Sequence, residues 1–177
     1  NYDSGWYVGR FVDACLSAGA PLIHPWAEQH VRGRMHATMP RGTHKAHLGD
    51  QPLSAHALVN AGWREGVLAL LPQTGDPALR SQSQRWLQWI DKVPTSPGLE
   101  TAVLVDELLR YDPLAPAAAD LSGLPKTYHA LGAGVFIARS SWTDPDATAL
   151  VFESGPLGES HRFKNANGLL FWKAGAW

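Results

Sequence analysis

The sequence predicts an α+β chain in which an all-helical segment precedes the first antiparallel strands of a β-domain whose sheet is not complete. Two observations predict it. Apolar residues recur at helical spacing as far as about Leu109. Beyond an Ala/Pro/Gly-rich connector, Ala115 to Pro125, short β-branched or aromatic runs alternate with turns instead.

In chain order, Asp3 or Ser4 caps a first helix whose apolar positions Tyr7, Phe11, Cys15 and Val8, Val12, Leu16 repeat at i, i+4 and which ends at Gly19 before Pro21. Cys15 reads as a small buried hydrophobe on that face. Pro25 suits the first position of a second helix, with Trp26, His30, Val31 and Met35 on one face until Pro40. Arg41 to Pro52 reads as a loop. Ser54 starts a third helix through Ala57, Leu58, Ala61, Leu68 and Leu71; within it Gly62 and Gly66, four apart, permit a close helix crossing. Asp76-Pro77 starts a fourth through Leu79, Trp86, Leu87 and Ile90, and a fifth runs from about Leu99 to Leu109. Helices joined by such loops pack as antiparallel neighbours, in a bundle or in a toroid of helical hairpins. The strand runs are Gly134 to Arg139, Ala147 to Glu153 and Leu169 to Lys173. Three strands with open edges make a poor independent sheet, and the chain opens on Asn1 and ends on Trp177 inside an apolar run, so the expectation is a piece of a longer protein.

With 45% hydrophobic and 18% charged residues the composition is that of an ordinary globular chain. Fifteen Lys and Arg against 16 Asp and Glu give a net charge of -1, which lacks the clustered basic excess that nucleic acid demands. No apolar run reaches the roughly 18 residues of a membrane span, and a single cysteine excludes an internal disulfide.

The segment from Gly155 to Trp177 carries the richest chemistry. It sets Ser160, His161, Arg162, Lys164, Asn165 and Asn167 between two strands, where a sheet can aim side chains at a ligand; the plainer reading is a solvated turn. The run Leu124-Pro125, the Tyr128 to Arg139 strand with Arg139-Ser140-Ser141-Trp142, the Asp146-Ala147-Thr148 strand start, Gly155-Pro156, Ser160-His161, Asn167 and Gly175-Ala176-Trp177 resembles the start of the β-sandwich of heparinase II/III-type polysaccharide lyases. Pro40-Arg41-Gly42 and Gly49-Asp50 are similar to a loop of the same family. The likeness is strong from 124 to 177 and weak before. It implies the C-terminal part of an α/α toroid over residues 1–123 and the start of a sandwich over 124–177. The family's second His falls on Phe163, its acidic residue on Asn165 and its Ser-Phe pair on Gly168-Leu169. Phenylalanine offers a metal no lone pair, so neither zinc nor a cofactor is expected.

What the resemblance implies chemically is β-elimination on a uronic-acid polysaccharide, an acidic partner met outside the cell or in a periplasm. The substrate carboxylate is neutralised by hydrogen-bond donors, a base takes the adjacent proton, and an acid protonates the departing glycosidic oxygen. His161 takes the role of the family's active-site His. Tyr7 is the first choice for the phenol and Tyr2 the second, with cations lowering a phenol pKa that is ordinarily about 10. Trp6, Arg162, Asn165 and Asn167 are candidates for substrate contact. The alternative is a glycan-binding protein of the same architecture without catalysis. A glycoside hydrolase needs two opposed carboxylates, and Glu28, Glu65, Glu100, Asp106 and Glu107 lie in or near helices with no site signature. His44 and His47 with Asp50, near His36 and His56, form a loop read as solvated linker rather than metal site. Trp6, Trp26 and Trp63 suit sugar rings, though on apolar helices they read first as core.

Overall fold

The computed structural model describes residues 4–20, 25–46, 61–90, 107–154 and 167–176, and of residues 4–8 and 61 the backbone alone. The chain divides into two units, Asn1–Met35 with Val59–Ala119 and His36–Leu58 with Asp120–Trp177. Among the described residues the fold is α+β, with helices and a four-stranded antiparallel sheet.

In the first unit α1 (Ser4–Ser17) packs on α3 (Ala61–Leu70). Their crossing is close because Gly9 lacks a side chain: a Cβ there would lie 2.6 Å from Glu65 Oε1. Gly62 and Gly66 on α3 are buried, as their spacing predicted. The face of α1 differs from the i, i+4 expectation. Val12 is fully buried, but Phe11 is 52% exposed, Leu16 is exposed and Cys15 is half-buried. Phe11 lies instead beside the ring of Trp26, centroids 6.2 Å apart.

The second helix, α2 (Pro25–His36), buries Ala27, Val31 and Met35. Met35 Sδ accepts from Ser83 Oγ on α4 (Pro77–Ile90) at 3.4 Å. Asp76 caps α4: its Oδ1 accepts the Ala78 N–H at 2.9 Å. The backbone N–H of Leu79, then that of Ala78 and the Arg32 guanidinium, hold its carboxyl below the usual range. Arg32 also ties α2 to that cap at 2.7 Å. Arg64 joins α3 to two other segments, donating to Leu87 O at 2.8 Å and Glu107 Oε1 at 2.5 Å and lying over the Tyr111 ring. The predicted fifth helix appears as helical residues 107–110, while residues 54–60 and 99–106 of the expected helices lie outside the described residues.

In the second unit β1 (Thr127–Ala130), β2 (Val135–Arg139), β3 (Ala149–Glu153) and β4 (Gly168–Trp172) form one sheet in sequence order. The segment from Tyr128 to Arg139 is not one strand. A 3-10 turn at Leu131–Ala133, closed by Gly134 at φ 62°, folds it into a hairpin with Tyr128 opposite Ile137. Pleating puts Val135, Ile137, Arg139, Ala149, Val151, Glu153 and Trp172 on one buried face. The opposite face carries Phe136, Leu150, Phe152, Leu169 and Phe171, the last two 61% and 55% exposed.

Beyond β4, Ala174 (φ 51°) and Gly175 (φ 94°) make a two-residue hairpin turn in which Lys173 and Ala176 exchange backbone hydrogen bonds of 2.8 and 3.0 Å. A Cβ on Gly175 would meet Arg41 Nη1 at 2.8 Å. Replacing Ala174 by Gly removes a left-handed penalty and should raise stability by about 1 kcal/mol, while Gly175→Ala should lower it by roughly 1–2 kcal/mol. Denaturant midpoints of the two variants measure both.

Candidate functional site

The sheet positions the loop that the sequence singles out. Glu153 pairs with Gly168, and one residue outward on each strand Ser154 Oγ donates to Asn167 Oδ1 at 3.2 Å, while Ser154 N–H donates to Gly134 O at 2.7 Å. Asn167 adopts φ 68°, a left-handed conformation that asparagine tolerates better than most residues, and it leads directly into β4. The ends of the β3–β4 connection are therefore held side by side. Of the candidate residues, His161, Arg162, Asn165 and Tyr2 lie outside the described residues, and α1 carries Trp6 and Tyr7 in its first two turns.

The second helix ends at His36 rather than near Pro40, and residues 41–46, the described part of the expected loop, are not a solvated linker. Thr38 bridges Lys45, Met39 N–H donates to His44 O at 2.7 Å and Ala46 N–H to Ala37 O at 2.5 Å, so this stretch is a small hairpin. Arg41 (φ 76°) and Gly42 (φ 72°) make its tip. Arg41 reaches Asp146 Oδ1 at 2.5 Å and Pro145 O at 3.3 Å, and Lys45 and Ala46 are buried. The reason is Arg139 on β2, only 5% exposed, whose Nη2 donates to the carbonyls of His36 at 2.6 Å and Thr38 at 2.7 Å. Trp142 lies 3.6 Å beneath that guanidinium and donates from its indole N–H to Pro125 O at 2.9 Å. Burial lowers the Arg139 pKa to about 9, which leaves it charged at neutral pH.

Two imidazoles of the hairpin meet sheet aromatics. His36 stacks on Tyr128, centroids 5.0 Å apart and planes at 19°, with its edge toward Trp142 at 5.1 Å. His44 lies 5.1 Å from Trp172, its Nδ1 within 2.8 Å of Thr43 Oγ1, and burial lowers its pKa. His47, Asp50 and His56 lie outside the described residues, among which no group of three or more His, Cys, Asp or Glu is placed to hold a metal ion.

In the first unit, Trp26 and Trp63 are half-buried rather than core. Phe11 approaches Trp26 at 6.2 Å, Trp26 meets the edge of His30 at 6.3 Å, Arg34 Nε donates to His30 Nε2 at 3.1 Å, and the Arg34 guanidinium lies 4.1 Å over Trp63. The only sequence signal for this group was the four-residue spacing of Trp26, His30 and Arg34; for the Arg139 group it was the Arg139-Ser140-Ser141-Trp142 run. The chain matches no protein-family model, no curated protein and no solved structure.

Burial, and then the Arg34 charge, lower the His30 pKa from 6.5 to about 4. Since the unfolded chain binds the proton more readily, its contribution to stability is full above about pH 6.5 and is lost as pH falls toward 4, by up to about 3 kcal/mol. His30→Gln should flatten this limb of a plot of denaturation midpoint against pH. Arg139→Met removes the two hydrogen bonds to the carbonyls of His36 and Thr38 and should lower stability by about 3 kcal/mol or more, with Arg139→Lys recovering part of it; Trp fluorescence in denaturant reads the difference.

Proposed function

We propose that the chain is part of a polysaccharide lyase-type protein that cleaves a uronic-acid polysaccharide by β-elimination, with residues 1–123 belonging to an α/α toroid and 124–177 to a β-sandwich. The observation that carries this reading is the ordered run from Leu124 to Trp177, with Ser160-His161 and Asn167 between two strands. Two structural features support it. The connection bearing His161 begins and ends at neighbouring positions of a regular sheet, and opposite its buried face that sheet carries an apolar row with Leu169 and Phe171 exposed, the kind of face that a second sheet covers in a sandwich.

In the proposed reaction Asn167, Asn165 and Arg162 donate to the substrate carboxylate and so acidify the proton on the adjacent carbon. The Tyr7 phenolate takes that proton, with Tyr2 the other candidate, and Trp6 packs on the sugar. The carbon–oxygen bond one position further breaks as a carbon–carbon double bond forms, and the phenol so formed gives its proton to the leaving oxygen. His161 supplies positive charge for the substrate carboxylate. Encounter with such a polymer belongs outside the cell or in a periplasm. A second reading, a glycan-binding protein without turnover, is favoured by Phe163, Asn165 and Gly168 at positions where the resembled family carries His, an acidic residue and Ser.

The test uses the full-length protein with alginate, heparan and related uronate chains and follows the ultraviolet absorbance of the unsaturated product. Product formation reduced by a factor of about 100 or more in Tyr7→Phe and His161→Ala is expected for residues that act in the transition state. Saturable binding with no absorbance from any chain selects the second reading, and neither binding nor product removes both.

A further inference from the structure

The aromatic group on the first unit has the chemistry of a sugar-binding strip. Its members come from three helices: Phe11 on α1, Trp26, His30 and Arg34 on α2, and Trp63 on α3. Arg34 is 5% exposed, whereas Phe11 is half exposed and Trp26, His30 and Trp63 are partly so. The charged member is buried while each of the four rings keeps part of its surface exposed.

The bond between Arg34 and His30 fixes more than position. A guanidinium can only donate, so His30 Nε2 must accept at 3.1 Å and the ring proton must reside on Nδ1, across the ring from Arg34. With its pKa near 4, the imidazole holds this single tautomer through neutral pH. The result is one fixed N–H donor with the indole of Trp26 6.3 Å away at 88° and the ring of Phe11 a further 6.2 Å along. An apolar ring face beside a lone directed donor complements a pyranose, which has an apolar face of C–H groups and a rim of oxygen acceptors.

We propose that Phe11, Trp26, His30 and Trp63 form a pyranose-binding strip, in which a sugar ring stacks on Trp26 and a hydroxyl or carboxylate oxygen of the same sugar accepts from His30 Nδ1–H. The strip rests on the carbohydrate reading above but not on catalysis, and it shares no residue with the proposed reaction. It extends recognition of the polymer beyond the sugars at the bond cleaved.

The test is calorimetric titration of the protein with alginate and heparan hexasaccharides, together with the indole N–H resonance of Trp26 assigned by Trp26→Phe. Saturable binding that shifts this resonance is expected. Trp26→Leu should weaken binding about tenfold or more and His30→Leu about fivefold, with His30→Gln, which can still accept from Arg34 and donate outward, close to the parent. Where Trp26→Leu does not fold, the resonance in the unaltered protein decides. Binding that leaves it unmoved, equal affinity in a folded Trp26→Leu, or absence of binding overturns the strip. Binding through Trp26 without unsaturated product removes the lyase reading and keeps the strip. Product formation with KM unchanged in Trp26→Leu keeps the lyase and removes the strip.

Discussion

Each unit depends on a buried guanidinium that joins segments distant in sequence. In the second unit Arg139 grips the carbonyls of His36 and Thr38, about 100 residues away, and stacks on Trp142. In the first, Arg64 reaches Leu87 O and Glu107 while covering Tyr111. The planar fork suits this task because it delivers several donors in fixed directions and leaves a flat face for an aromatic ring. Burying such a charge is unfavourable unless the partners are good, and here backbone carbonyls, a carboxylate and aromatic ring faces supply them.

The same device recurs at the connector. Arg85 donates to the carbonyls of Ala118 and Ala119, the former at 2.7 Å, Gln84 donates to Asp112 O at 2.7 Å, and Arg110 pairs with Asp13. Ala115 to Pro125 has little side-chain chemistry of its own. At Ala118 and Ala119 its backbone is held by Arg85 of α4.

Much of this architecture was legible in the sequence. The Asp76-Pro77 start, the strands ending at Arg139 and Glu153, and β4 to within a residue all follow from capping chemistry and period-two apolarity. What escaped was set by single residues in unusual conformations or by tertiary polar contacts. Leu131–Ala133 turns because Gly134 takes φ 62°, and that splits an apparently continuous apolar run. The 36–46 hairpin escaped because its cohesion comes from Arg139, far away in the chain. The amphipathic pattern of α1 misassigned Phe11, which is half exposed beside Trp26. Of the candidate site, the sequence marked the connection between two strands, and the sheet holds its ends together; the reaction assigned to it rests on the ordered motif. The neighbours of His30 and Arg34 had no motif to mark them.

The bond that sets the His30 tautomer also changes what that ring can do. Electrophiles and metal ions attack an imidazole at its unprotonated nitrogen, and here that nitrogen already holds the Arg34 N–H. The ring is therefore chemically quiet: a poor nucleophile, a poor ligand and no buffer near neutrality. It is an aromatic amide in all but name, suited to recognition and closed to catalysis.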